Sequence, residues 1–246
     1  MIRKLSILTT AAMAVALASC GGGNNAEPPK GDAIAKISAP AGKAWTDMVT
    51  KTDLGGYKMG NPNAKLQLLE YGAISCPGCA AFSVQSTEEL RAMVDNGVVA
   101  FEFRPYLVHG IQDVPGFLLA ACNGTEAFFG LTEQLYASQQ EWLGRLSTIS
   151  EAEQQTYAAL EPAAQITFLG EKLGLIEFVK QRGVSEDAAK LCLSDPKTFD
   201  ALVKQSERAS KEDGISGTPA ILLNGSRVDP ADWSTVKVAL KNAGAR

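Results

Sequence analysis

Apolar positions gather into short continuous runs at a few places and recur at helical spacing through most of the rest of the chain. "KLQLLEY" (residues 65–71) is short and apolar, and it predicts a buried strand. "AAFSVQSTEELRAMVDNG" (residues 80–97) carries Phe82, Val84, Leu90, Met93 and Val94 on the inner side of a predicted helix, which Gly97 is suited to end. "VVAFEFRPY" (residues 98–106) predicts a second strand. The two long stretches 113–146 and 149–183 then read as helices with short breaks. "KQSERASKEDG" (residues 204–214) reads as a solvated helix face. "GISGTPAILLNGSRVDP" (residues 214–230) predicts loop, strand, Asn-Gly turn and short strand, and residues 229–242 a last helix with Pro230 near its start. Upstream, residues 41–60 predict a short helix and an edge strand.

The first twenty residues break this pattern. "MIRKLSILTTAAMAVALASC" opens with Arg3 and Lys4, continues uncharged and largely apolar, and ends in small residues. That is the layout of a signal peptide, residues 1–19. Its end, Leu17-Ala18-Ser19-Cys20, resembles the lipobox of bacterial lipoproteins, and that resemblance implies lipidation of Cys20. The plainer alternative is an ordinary signal peptide cut nearby, with Cys20 incidental. "GGGNNAEPPKG" (residues 21–31) has a tether's composition, so residues 20–32 are expected to be a lipid-anchored flexible tether and residues 33–246 the folded domain. Export places that domain on the periplasmic side of a bacterial membrane, held by its lipid alone, with inner and outer membrane both open. It also permits disulfides.

Composition changes this picture little. With 246 residues, 46% hydrophobic and 20% charged, the chain fits one soluble domain carrying an insertion. A net charge of -4 and the lack of a basic stripe argue against nucleic acid as a partner. A monomer is expected.

The five cysteines are more informative: Cys20, Cys76, Cys79, Cys122 and Cys192. Giving Cys20 to lipid leaves four, which allow three pairings. "CPGC" (residues 76–79) is half a zinc site, an inert staple or a redox dithiol. Zinc wants four Cys or His ligands, but the other cysteines are isolated and His109 is the only histidine, so no metal is expected. A staple across so small a loop would stabilise little. A local pair Cys76–Cys79 would leave Cys122 and Cys192, whose bridge would close a loop of about seventy residues.

Placement favours redox chemistry. The pair sits where a strand turns into a helix, with Ser75 or Cys76 as N-cap and Pro77 at the first helical position. Free backbone N–H groups there favour a Cys76 thiolate. Cys79 follows one turn on, more buried, within disulfide reach. Cys76 is then the nucleophile and Cys79 the resolving thiol.

"EYGAISCPGCAAF" together with "GISGTPAILLNG", about 130 residues later, resembles the thioredoxin superfamily. The length between them resembles the DsbA-type thiol:disulfide oxidoreductases. That resemblance implies an α/β thioredoxin fold with a helical insertion, about residues 110–210, between the second strand of the redox motif and the cis-proline segment. It implies a cis Pro219 facing the pair, and backbone of Thr218 offered to substrate. It implies a Cys122–Cys192 bridge, as some members have within the insertion. Glu70 reads either as a strand-end charge turned to solvent or as a buried carboxylate exchanging a proton with Cys79, and the resemblance favours the second. The activity implied is oxidation of exported protein dithiols without a cofactor, with a membrane redox partner to reoxidise the pair. A reductase or isomerase of the same fold, or a non-catalytic peptide- or metal-binding lipoprotein, are the alternatives.

The strongest oxidases of this type have histidine just before the second cysteine. Here that residue is Gly78, and His109 is expected to be a surface or loop residue. A helix terminus alone would bring a thiol from about 8.5 to about 7, which implies a weaker oxidant.

Overall fold

The computed structural model describes residues 31–246, so the signal segment, Cys20 and nearly all of the tether lie outside the described residues. Six strands form one sheet: β1 (Val49–Lys51), β2 (Tyr57–Gly60), β3 (Leu66–Gly72), β4 (Val99–Pro105), β5 (Ala220–Leu223) and β6 (Ser226–Val228). Their spatial order is β1-β2-β4-β3-β5-β6. β3 and β4 are parallel, in register Leu68↔Phe101 and Glu70↔Phe103, and every other pair is antiparallel. A parallel pair needs a crossover, supplied here by α1 (Pro77–Asp95). The Asn224–Gly225 turn between β5 and β6 has positive φ at both residues, 48° and 81°, as a two-residue hairpin requires.

Between β4 and β5 the chain makes a short 3-10 turn, Gly110–Asp113, and then eight helices. These are α2 (Val114–Ala121), α3 (Phe128–Ala137), α4 (Gln139–Gly144), α5 (Glu151–Ala158), α6 (Pro162–Lys172), α7 (Leu175–Lys180), α8 (Glu186–Leu193) and α9 (Pro196–Glu212). A last helix, α10, runs Trp233–Asn242. The helices dock on the sheet through aromatic rings. Phe103 of β4 packs against Phe117 of α2 and Phe128 and Tyr136 of α3, and Phe128 stacks on Tyr57 of β2. Cys122, just after α2, is bonded to Cys192 in α8 across a separation of 70 residues. Closing a loop of that length restricts the unfolded chain and is worth about 4 kcal/mol.

Three local features differ from the sequence pattern or refine it. Val84 is 63% exposed, because two residues along a helix is about 200° of rotation; the buried stripe is Phe82, Ser86, Leu90 and Val94. The last helix begins at Trp233, where Asp232 accepts from the Thr235 amide at 2.9 Å, and Pro230 precedes it in a cis peptide. α9 buries Leu202, Gln205, Ser206 and Ala209, and its charged residues occupy the opposite side.

Residues 31–37 lie across the far end of α1 and α10. Gly31 N donates to Asn242 O, Ile34 N to Gly244 O and Ile37 N to Asn96 O. At 1.5 Å per residue α1 is about 28 Å long. The chain therefore enters the fold at the end of α1 opposite Cys76.

Candidate active site

Cys76 is the N-cap of α1 and Pro77 its first residue, where a missing N–H costs nothing. Ser75 does not cap the helix; its side chain is engaged elsewhere, as described below. Both cysteines are free thiols, Cys76 7% and Cys79 0% exposed. Thr218 and Pro219, joined by a cis peptide, lie against the pair. The Cys76 thiol donates to Thr218 O at 3.3 Å, and a Cβ on Gly78 would stand 3.0 Å from Pro219 Cδ. A small residue thus lets the proline ring pack close on the first turn of α1.

The two thiols are driven in opposite directions. Cys76 is lowered from 9.0 to about 5. The largest cause is a hydrogen bond from the Cys79 thiol, which outweighs the opposing effect of burial; the neighbouring Thr218 and the amides of Cys79 and Gly78 add to the lowering. Cys79 is raised well above its ordinary value, first by burial and then by its bond to Cys76. The value near 7 that a helix terminus alone implies leaves out hydrogen bonds made by Cys79 and Thr218.

Glu70 is 2% exposed, on the face of β3 that carries Leu66 and Leu68. It is not turned to solvent. Burial raises it to about 8, the nearby Cys76 charge pushes in the same direction, and a hydrogen bond with Cys79 opposes them. Glu70 lines a cavity of about 30 Å³ between α1 and α3, with Ser86 and Thr132 among the other lining residues, and its buried Oε1 has no hydrogen-bond partner among the described residues. The half-buried Arg91–Glu133 pair, at 3.0 Å, lies at the same cavity.

Several groups that hold the turn were not evident in the sequence. Tyr136 Oη donates to Ala73 O at 3.1 Å. Gln139 Nε2 donates to Ile74 O at 2.9 Å and Cys76 O at 3.0 Å. Asp113, fully buried, accepts from Ser75 N (2.9 Å), Ser75 Oγ (2.6 Å) and His109 N (2.9 Å). Burial raises the Asp113 pKa, and these donors oppose the shift. His109 is exposed on its loop, and its Nδ1 is 2.6 Å from Ser75 Oγ. Cys122 and Cys192 take no part in this site; their bond ties α2 to α8. Among the described residues no group of three His, Cys, Asp or Glu side chains is placed to hold a metal ion.

A thiolate at a helix start, a protonated partner beneath it and a buried carboxyl within hydrogen-bonding range can carry out thiol–disulfide exchange. The family described as "Thioredoxin" matches residues 52–242. A Rickettsia bellii protein named "Putative protein-disulfide oxidoreductase" is 26% identical over 195 residues, which cover 78% of this chain and 66% of that protein. The chain thus spans just under two thirds of that relative's length. Among solved structures, a protein-disulfide isomerase from Novosphingobium aromaticivorans is 27% identical with a TM-score of 0.69, covering 76% of this chain and 95% of that one. Alpha-DsbA1 of Wolbachia pipientis is similar in fold, with 18% identity, a TM-score of 0.58 and coverage of 76% and 91%.

Proposed function

The chain belongs to the thioredoxin family, and on that premise we propose that it is a thiol:disulfide oxidoreductase that oxidises exported protein dithiols from the periplasmic side of a bacterial membrane. The observation that carries this reading is the opposed pair: Cys76 held near 5 and Cys79 raised well above 9.0. A stabilised thiolate favours the reduced form of the enzyme and so makes its disulfide an oxidant. In each turnover a substrate thiolate attacks Cys76 of the disulfide form, and Cys79 leaves as a thiolate that takes a proton from Glu70. The second substrate thiol then attacks the mixed disulfide and leaves Cys76 reduced. Glu70 recovers its proton through the cavity beside it, which has room for a water. Backbone of Thr218, next to Cys76, aligns the substrate chain. Lipid on Cys20 anchors the domain, which works as a monomer and is reoxidised by a membrane redox partner.

The rival reading runs the same site as a reductase or isomerase, and the equilibrium potential separates them. Thioredoxin, with a nucleophile near 7, lies at about -270 mV, and the strongest oxidase, near 3.5, at about -120 mV. A nucleophile at about 5 interpolates to about -180 mV. Equilibration against glutathione, followed by mass after acid quenching, should return a potential within about 50 mV of that value. A potential below about -250 mV would sink the oxidant reading. Cys76→Ser should abolish oxidation of a reduced test protein; undiminished activity would instead favour a non-catalytic binding role.

A further inference from the structure

His109 lies on the surface, yet a buried carboxylate determines which of its nitrogens carries hydrogen. Asp113 is fully buried and accepts three hydrogen bonds, two from Ser75 and one from the His109 amide. A serine hydroxyl has a single proton, and here it goes to Asp113 Oδ1 at 2.6 Å. Ser75 Oγ can therefore only accept from the imidazole, so Nδ1, 2.6 Å away, must be the protonated nitrogen. In the neutral ring this leaves Nε2 as a free acceptor. Among the described residues, Ser75 and Asp113 are the polar groups hydrogen-bonded to His109. The ring thus stands exposed beside the residue that precedes the nucleophile, with a lone pair available.

A base near the nucleophile would speed the reaction. Glu70 is buried beneath Cys79 and attends to the leaving thiol, not to the arriving one. A substrate thiol with an ordinary pKa near 8.5 is only about 3% ionised at pH 7, and only the thiolate attacks. Imidazole is the side chain suited to exchange a proton near neutrality. We propose that His109 is the catalytic base for the incoming substrate thiol, held in the required tautomer by Ser75 and Asp113 as positioning residues. The proton of the substrate S–H passes to Nε2. The thiolate forms a new S–S bond to Cys76, the Cys76–Cys79 bond breaks, and its electron pair leaves on the Cys79 sulfur, which takes a proton from Glu70. The substrate sulfur is oxidised to a mixed disulfide, Cys79 is reduced to a thiol, and His109 returns its proton to solvent.

The proposal rests on the oxidant reading, and two probes keep the two apart. The disulfide form of the full chain is reacted with a cysteine peptide and with an aromatic thiol already ionised at pH 7. Complete ionisation of the peptide thiol would raise its rate at most about thirty-fold, so His109→Gln should slow the peptide about tenfold at pH 7. The same variant should leave the aromatic thiolate unaffected, and the peptide defect should vanish at pH 9.5, where the peptide ionises unaided. Ser75→Ala should show a smaller defect of the same kind, and imidazole added to His109→Ala should restore the peptide rate. An equal loss with both probes, or no loss with either, overturns the proposal. A wild-type disulfide inert to both probes would sink the oxidant reading itself, and the proposal with it.

Discussion

Glu70 carries a carboxyl whose ionisation works against the folded state. Its folded pKa, about 8, lies above the ordinary 4.5, so the folded protein holds this proton where the unfolded chain has released it. Stability from this group is intact below 4.5 and is lost progressively as pH rises through about 8. Glu70→Gln never ionises. Its advantage over the wild type in the reduced state should be near zero at pH 4.5 and grow to a few kcal/mol, on the order of 5 at most, by pH 9. Urea unfolding at pH 4.5, 7 and 9 measures this, and a pH-independent difference would contradict it. Cys76 acts in the opposite sense: its folded pKa, about 5, lies below 9.0, so it stabilises the reduced fold fully above 9.0 and loses that effect as pH falls through about 5. Glu70 was legible in the sequence because a charge inside an apolar run invites explanation. His109 was legible only as a loop residue, since its tie to Ser75 spans 34 residues that no local pattern connects.

Among the elements, the turn between β3 and α1 is held from outside itself. α3 supplies Tyr136, α4 Gln139 and the 3-10 turn Asp113, and between them they satisfy Ala73 O, Ile74 O, Ser75 N and Cys76 O. The helices between β4 and β5 thus set the backbone that presents the nucleophile, besides covering the sheet. Gln139→Leu keeps the volume and removes two bonds to buried carbonyls. It should cost about 2–3 kcal/mol and shift the Cys76 thiolate titration, read by absorbance at 240 nm, while the fold persists. An unchanged titration would mean that α4 only packs against the turn. The strands and helices themselves were legible, because apolar runs and helical spacing follow from burial of one face. Val84 was misread because apolar character alone does not say which side of α1 meets the core. The Gln139 contacts had no local signal, for "ASQQEW" is an ordinary polar helix start in the sequence.

At the scale of the whole molecule, the two most distant motifs, "CPGC" and "GTPA", meet at one end of the fold. Their long separation is taken up by helices closed through Cys122–Cys192. That meeting was legible from motif chemistry, whereas the site of chain entry was not, because residues 31–37 carry no distinctive pattern. Lipid on Cys20 predicts that cells fed labelled palmitate yield a labelled protein, that Cys20→Ser loses the label, and that the Cys20→Ser protein leaves the membrane fraction. Retention of the label on Cys20→Ser would refute the anchor.

The entry of the chain at the far end of α1 also sets a working radius. Residues 21–31 reach at most about 35–40 Å at full stretch, and α1 adds about 28 Å before Cys76 is reached. A domain fastened at Cys20 can therefore bring its thiol to substrates as far as about 65 Å from the bilayer. With Cys20 lipidated as proposed, the pull would come at the pole opposite Cys76, and the reactive end would face away from the bilayer. Shortening the tether would narrow the zone that end serves without altering its chemistry.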